Sequence, residues 1–205
     1  MLSPRRFLVL VFMVIVANAL LVFSVNVHTS QRRSQAIPVA ALKTGDVVLR
    51  KGYGLMSAVF RKANTQEAEF SHAGIVLRKG ASVFVAHLQQ EQTENALQLE
   101  PLEQFTDQNV CSKAAVCRFD LSDLQRKQLY LQVEDALREQ KTFDASFDLA
   151  DSKAMYCTEW IRHLLVVTTG DTAYIPCSKS GDFRYIAPDN IYRNPHARIL
   201  CSVHY

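Results

Sequence analysis

Nine residues in the first half of the chain decide how the sequence is interpreted: Phe70-Ser71-His72-Ala73-Gly74-Ile75-Val76-Leu77-Arg78. In an extended strand Ala73, Ile75 and Leu77 share one face, and His72, Gly74 and Val76 lie on the other. A second run rich in valine and phenylalanine, Ser82 to Leu88, follows at once. If Ala81 joins the second run, only Lys79 and Gly80 lie between the two strands, so we predict a tight β-hairpin.

The predicted hairpin brings two histidines together. If Arg78 pairs with Ala81, His72 lies directly opposite His87. Their Cβ atoms would then be about 5 Å apart on one face of the sheet. A slip of one residue in the register would place the two rings on opposite faces.

The remaining segments carry ordinary helix and strand signals. Further strands are predicted at Asp46–Arg50, Ala114–Phe119 and Arg198–Val203, the first of them after a turn at Gly45. Helices are predicted at Gly54–Lys62, Leu121–Gln140 and Met155–Val167. The second helix is opened by Ser122 and Gln125 in capping-box order. Strands and helices are segregated instead of alternating. The predicted fold class is therefore α+β, with an antiparallel sheet packed against helices.

Cys157 falls in the first turn of the last predicted helix. Asp151 and Ser152 are placed to cap that helix. Its apolar stripe consists of Tyr156, Trp160, Leu164 and Val167. Unpaired amides and the positive end of the helix dipole favour a thiolate, which is the nucleophilic form, and can hold an oxyanion. Taken alone, a cysteine on an apolar helix is more often simply buried.

A cysteine nucleophile needs a base, and two histidines are candidates. His163 shares the helix but lies about 120° around its axis from Cys157, which makes it a poor partner. His72 has small neighbours, Ser71, Ala73 and Gly74, that would leave room for a substrate. A second histidine opposite it fits the logic of a triad, in which another group holds the base. No role is assigned to the remaining histidines, His28, His196 and His204.

Length and charge narrow the function classes. The 205 residues, 48% hydrophobic and 21% charged, suffice for one compact catalytic domain. The net charge of +3 includes Arg5, Arg6, Arg32 and Arg33, in a stretch without acidic residues. Without these four arginines, 19 of the 23 basic residues remain against 20 acidic residues, which gives a net charge of −1. A domain with this balance has no electrostatic footprint for nucleic acid.

The amino-terminal segment, residues 1–29, is predicted to be a membrane anchor or a secretory signal. Phe7–Val25 is apolar apart from Asn18 and Ser24 and as a helix would span about 28 Å, close to the thickness of a bilayer core. Arg5 and Arg6 would keep the amino terminus in the cytoplasm. Cleavage after Ala17-Asn18-Ala19 is the alternative. Either way the domain at 39–205, after a linker at 30–38, would face the periplasm or another extracytoplasmic compartment.

The five cysteines cannot all pair with one another. Cys111 and Cys117 have no second pair of ligands at zinc-finger spacing, so no metal site is expected, and no cofactor either. In an oxidising compartment Cys111, Cys117, Cys177 and Cys201 could form disulfides in three connectivities.

Three blocks of the sequence resemble a known family. They are Leu42-Lys43-Thr44-Gly45-Asp46-Val47-Val48, the histidine block from Phe70 to Val76, and Phe147-Asp148-Leu149 followed by Met155-Tyr156-Cys157-Thr158-Glu159. Together they resemble the permuted papain-like cysteine hydrolases of the YaeF/YiiX type, the circularly permuted branch of the NlpC superfamily, related to the lecithin:retinol acyltransferase group. Histidine precedes cysteine, the reverse of papain. The resemblance covers residues 42–190, including Ala187-Pro188-Asp189-Asn190 near its end.

The resemblance implies Cys157 as the nucleophile and His72 as the base. The family has a polar third residue on the next strand, often glutamate in YiiX-like relatives, and here His87 occupies that position. A neutral imidazole can accept a hydrogen bond from His72 but stabilises an imidazolium less than a carboxylate does. Glu91 and Glu94, in a nearby polar stretch, are the alternative.

The leading functional prediction is a membrane-anchored thiol hydrolase. It would cleave an amide, in cell-wall peptide, through a Cys157–His72–His87 triad and an acyl-enzyme. The same triad in a lipid acyl hydrolase or acyltransferase is one alternative, and a catalytically silent module that binds peptide or a partner protein is another. The oligomeric state is left open.

Overall fold

Antiparallel strands form the centre of the protein. The structure, a computed structural model, describes residues 36–90, 95–147, 149 and 154–205. Its strands are β1 (Val47–Gly52), β2 (His72–Lys79), β3 (Ser82–Leu88), β4 (Leu97–Pro101), β5 (Cys111–Phe119), β6 (Thr142–Phe143), β7 (Ala154–Met155), β8 (Ser178–Ser180), β9 (Phe183–Tyr185) and β10 (Ala197–His204). Within the described ranges, six of these form one sheet in the order β10-β5-β1-β2-β3-β4, every neighbour antiparallel.

Helices lie between the strands and on both faces of this sheet. They are α1 (Gly54–Lys62), α2 (Leu102–Phe105), α3 (Asp123–Ala136), α4 (Cys157–Thr169) and α5 (Pro188–Tyr192), and a 3-10 turn lies at Val39–Ala41. Antiparallel strands with helices packed against them confirm the α+β prediction.

The strand alternation divides the core into two clusters. On one face Ile75 and Leu77 pack with Leu129 of α3 and with Trp160 and Ile161 of α4. The other face holds a smaller cluster, in which Val48, Val76, Val85, Leu102 and Phe105 are buried. His72 begins β2 on this second face, as the alternation predicts.

The predicted hairpin is present, but its register is wrong by two residues. Lys79 pairs with Ser82, and Arg78 pairs with Val83 instead of Ala81. The reason lies in the turn, because Gly80 occupies its first central position with φ +63, a conformation that glycine adopts without strain. A shift of two residues preserves the face of every side chain, whereas a shift of one would not.

Of the two long helices, α3 is shorter than predicted, and α4 begins and ends two residues later than the predicted Met155–Val167. The capping box of Ser122 and Gln125 is confirmed, but α3 ends at Ala136 and not at Gln140. Helix α4 begins at Cys157 because the two residues before Tyr156 pair in parallel with β6. The apolar stripe is also corrected: Val167 is 54% exposed, and Leu165 is among the residues that are buried in its place.

Strand β4 was not predicted, although Leu97, Gln98, Leu99 and Glu100 alternate apolar and polar side chains in the usual way. It adds an edge to the sheet beside β3. This edge matters for the site because it carries Glu100.

Several predictions concern residues outside the described ranges. These are the amino-terminal helix Phe7–Val25, most of the linker, and the capping residues Asp151 and Ser152. In the part of the chain that is described, no helix has the length and apolar character needed to cross a bilayer.

A buried carboxylate ties the entry of β1 to the rest of the domain. Asp46 is fully buried and accepts two hydrogen bonds of 2.7 Å from Arg118 of β5, one on each carboxylate oxygen. Arg126 of α3 lies 3.6 Å away, and the backbone N–H of Lys43 donates at 2.8 Å. The predicted turn at Gly45 is thus also a junction of sheet and helix.

Replacing Asp46 with alanine is expected to lower the free energy of unfolding by about 3–5 kcal/mol, because it leaves the Arg118 guanidinium without its buried partner. The control is Asp135→Asn in the exposed Arg138–Asp135 pair, where a change of less than about 1 kcal/mol is expected. Denaturant unfolding of the three proteins measures both effects. Equal stabilities for the two variants would contradict the role given to Asp46.

Candidate active site

The start of α4 places the thiol of Cys157 in a cavity. Tyr156 has extended dihedral angles (φ −104, ψ 173) and forms the N-cap, so Cys157 is the first helical residue. The backbone N–H of Tyr156 donates to the Glu159 carboxylate, 3.4 Å away, which holds that carboxylate at the helix start. Cys157 is half-buried and lines a cavity of about 640 Å³.

Backbone amides surround the sulfur, but the thiolate is not the favoured form. Burial raises the pKa of the Cys157 thiol above its usual value, while hydrogen bonds from the amides of Ala73 and Thr158 and the charge of Arg50 act in the opposite direction. The prediction that the helix start alone favours a thiolate is therefore wrong, since desolvation is the larger effect. The amides remain well placed to stabilise negative charge that develops during a reaction.

The amide of Ala73 reaches the sulfur where two strands separate. Pairing of β2 with β3 ends at Ile75 and Ala86, two residues short of Ala73. At this end of the hairpin, the Ala73 amide lowers the pKa of Cys157 through a hydrogen bond. One residue of the histidine block thus acts on the Cys157 thiol through its amide, while the residue before it carries the imidazole.

His72 and His87 are in direct contact. His72 Nε2 lies 2.9 Å from His87 Nδ1, and the ring planes are nearly perpendicular, at 86°. His87 pairs diagonally with His72 and not directly across from it, because the register is displaced by two residues. His72 also lines the cavity that holds Cys157.

Gly74 makes this contact possible. A methyl group at position 74 would lie 2.4 Å from Cγ1 of Val85 and 3.0 Å from Cβ of His87 and from the Ala86 carbonyl oxygen. Gly74 therefore leaves room for β3 and not for a substrate, which corrects the earlier interpretation of the small residues. Ala73 is likewise in the core, and of the three only Ser71 lines the cavity.

The surroundings of His72 favour its neutral form. Burial, the charge of Arg50 and the neighbouring His87 all lower its pKa well below the usual 6.5. The Arg50 guanidinium lies 4.4 Å above the Phe105 ring, on which His72 also stacks. A neutral imidazole can accept a proton from a thiol.

Sequence reasoning missed a carboxylate behind the histidine pair. Glu100 Oε1 is 3.4 Å from Nε2 of His87, which is fully buried. A hydrogen bond from His87 lowers the pKa of Glu100. The proposed alternatives, Glu91 and Glu94, lie outside the described residues.

Aromatic and aliphatic side chains form most of the cavity wall. They include Phe60, Phe143, Phe147, Tyr156, Phe183 and Tyr185. The ring of Phe147 lies 5.1 Å from that of Phe60 and 4.9 Å from that of Tyr156. Phe147 adopts φ 58, which is strained for a bulky residue and which these ring contacts offset.

Asp189 holds the loop that leads into β2. Its buried carboxylate accepts hydrogen bonds from the backbone amides of Thr65 and Gln66, at 2.7 Å and 2.5 Å. Because α5 carries this carboxylate, the end of the chain fixes the segment that precedes His72. The block at 187–190 thus has a structural role near the site.

Other candidates lie elsewhere. His163 lines a separate pocket with Trp160 and Leu164, and His196 stacks on Tyr174. All five cysteines are free thiols, so none of the three disulfide connectivities is present. Within the described ranges, no three His, Cys, Asp or Glu side chains come together as metal ligands would.

The comparisons with known proteins agree with this geometry. A family model described as permuted papain-like amidase enzyme, YaeF/YiiX, C92 family, matches residues 41–174. The chain belongs to this family. It is accordingly a cysteine hydrolase, and the family match includes both Cys157 and His72.

A solved structure shows the same fold. The crystal structure of metalloprotein yiiX from Escherichia coli O157:H7 has a TM-score of 0.64 and 17% identity, covering 80% of this chain and 98% of that chain. At this identity the likeness concerns the fold alone. No curated protein matches the sequence.

Gly74→Ala is expected to destabilise the protein by about 1–3 kcal/mol, because the added methyl group overpacks the contact with β3. Val85→Ala removes the atom nearest that methyl group. In a double-mutant cycle, the two changes together should therefore cost less than the sum of their separate effects. Denaturant unfolding of the four proteins gives the coupling energy, and strict additivity would contradict the packing argument.

Proposed function

We propose that the protein hydrolyses amide bonds through a Cys157–His72–His87 triad and an acyl-enzyme. The observation that carries the proposal is that Cys157 and His72 line one cavity, while His87 holds the far nitrogen of His72. In this arrangement His72 removes the thiol proton as Cys157 attacks the carbonyl, and then donates it to the leaving amine. Water releases the acyl group in a second step.

The protonation states of the free enzyme set how the reaction begins. Since burial raises the pKa of the thiol and lowers that of the imidazole, the two groups rest in their neutral forms. The proton therefore moves during the attack. Amides of Ala73 and Thr158 offset the charge that appears on sulfur.

Cys157→Ser is expected to abolish hydrolysis and labelling by iodoacetamide at neutral pH, because the nucleophilic sulfur is lost. The matched control is Cys177→Ser, which removes another half-buried thiol and should leave both intact. Mass spectrometry identifies the labelled residue. Full hydrolytic activity in the Cys157 variant would refute the nucleophile, and labelling without preference for Cys157 would favour a silent binding module.

As the pH is lowered, the wild-type enzyme should lose activity only below pH 6.5, the usual pKa of histidine. His72 acts as a base in its neutral form, and its pKa is lowered, so the neutral form persists to lower pH. The acidic limb of the profile of kcat/KM against pH measures this value. An acidic limb above pH 6.5 would contradict the assignment.

Two candidate substrates are proposed, and a different observation supports each of them. Export of the domain, predicted from the apolar segment at 7–25, supports an amide in cell-wall peptide and attachment of the enzyme to the membrane. The cavity wall supports the second candidate, a lipid acyl hydrolase or acyltransferase, because aromatic side chains suit an apolar group next to the reacting carbonyl.

Helix α1 adds to the support for the second candidate. It has no buried residue, and Leu55, Met56 and Val59 are 79%, 52% and 51% exposed. Met56 and Val59 also line the cavity. Exposed apolar side chains beside a cavity mouth suit contact with a lipid surface.

Incubation with peptidoglycan fragments and, separately, with phospholipid vesicles distinguishes the two substrates. Mass spectrometry should detect new peptide termini in the first case and free fatty acid or transferred acyl chains in the second. Cys157→Ser is the control in both arms. Products that persist in this variant would come from another enzyme.

A further inference from the structure

We propose that Glu100 is a positioning residue that selects the tautomers of His87 and His72, and thereby makes Nδ1 of His72 the base for Cys157. The inference rests on the proposed roles of Cys157 and His72. It adds a fourth residue, which acts through two imidazoles and touches neither the thiol nor the substrate.

The sheet places the three side chains in a row. In the pairing of β3 with β4, Gln98 lies opposite His87 and Glu100 lies opposite Val85. Glu100 is therefore diagonal to His87 on the same face of the sheet, as His87 is to His72. The resulting distances are 3.4 Å from Glu100 Oε1 to His87 Nε2 and 2.9 Å from His87 Nδ1 to His72 Nε2.

The hydrogen-bonding capacity of each group in this row determines which nitrogen of each imidazole carries the proton. A carboxylate only accepts hydrogen bonds, so the His87 nitrogen that faces it, Nε2, carries the proton. A neutral His87 then has a bare Nδ1, which must accept from Nε2–H of His72. Neutral His72 is left with a bare Nδ1, which can take the proton of the thiol.

The opposite arrangement is disfavoured by charge. With the proton on Nδ1 of His87, the lone pair of Nε2 would face the carboxylate, and both are negative. His72 would then accept at Nε2 and carry its proton on Nδ1, so neither nitrogen could act as a base on Cys157. Because His87 is fully buried, water does not solvate its Nε2 lone pair and so does not reduce this repulsion.

Two charges of opposite sign face the histidine pair. Arg50 of β1 lowers the pKa of His72 and also that of Glu100, which lies on β4 behind His87. The thiol of Cys157 on α4 shares the cavity with His72 and Arg50. When the thiol proton moves to Nδ1 of His72, one S–H bond breaks and one N–H bond forms. The protons on both Nε2 atoms stay in place.

The direct test is the tautomeric state of the wild-type protein. Two-dimensional proton–nitrogen NMR of the imidazole side chains above pH 7 shows which nitrogen of each ring carries the proton. Protons on Nε2 of both His72 and His87 are expected. A proton on Nδ1 of His72 would overturn the proposal, and this measurement needs no variant to fold and no substrate.

The second test uses Glu100→Gln, which removes the negative charge and can either accept from or donate to Nε2 of His87, so the tautomers are no longer fixed. The rate of Cys157 alkylation by iodoacetamide at neutral pH should fall by about twofold or more, and part of the His72 population should carry its proton on Nδ1. Glu100→Asp should restore the tautomers and much of the rate. Glu103→Gln, which removes an exposed carboxylate of the neighbouring helix, is the control and should leave both readouts unchanged.

The two levels of inference can fail separately. If His72→Asn leaves the alkylation rate of Cys157 unchanged, the proposed triad is wrong. If His72→Asn slows alkylation but Glu100→Gln changes neither the rate nor the tautomers, the triad stands and the role of Glu100 is refuted.

Discussion

The close approach of β3 to β2 at Gly74 is the contact on which the rest of the site depends. It brings His87 within hydrogen-bonding distance of His72, since no Cβ at position 74 holds the strands apart. Beyond Ile75 and Ala86 the strand pairing stops, and there the Ala73 amide meets the sulfur of Cys157. One hairpin thus carries the proposed base, the histidine in contact with it, and an amide that lowers the pKa of the proposed nucleophile.

Burial acts on the thiol and on the imidazole in opposite directions, and both effects favour neutral groups. The pKa of Cys157 rises and that of His72 falls, so a preformed thiolate–imidazolium pair is disfavoured. Backbone amides and the charge of Arg50 lower the pKa of Cys157 in part, without reversing the effect of burial. Such a site stabilises charge chiefly when the reaction creates it, which is where stabilisation lowers the barrier.

Much of this arrangement could be predicted because it follows from strand periodicity. Alternation placed His72 on the face opposite Ile75, and an error of two residues in the register left that face unchanged. The start of α4 at Cys157 was predicted less well, since it depends on two residues that pair with the distant β6. Desolvation of the thiol could not be predicted either, because burial arises from packing between segments far apart in the chain.

The five cysteines show what distinguishes a nucleophile in this fold. Burial raises the pKa of Cys111, Cys117 and Cys201 as it does that of Cys157, so low acidity is shared and does not single out the reactive thiol. What differs is the surroundings. Cys157 alone among the five lines the large cavity, which it shares with His72. Hydrogen bonds from three backbone amides lower its pKa, against one amide for each of Cys111, Cys117 and Cys201. In the proposed mechanism, the reactivity of Cys157 therefore comes from access and from a correctly protonated His72, and not from the intrinsic acidity of the thiol.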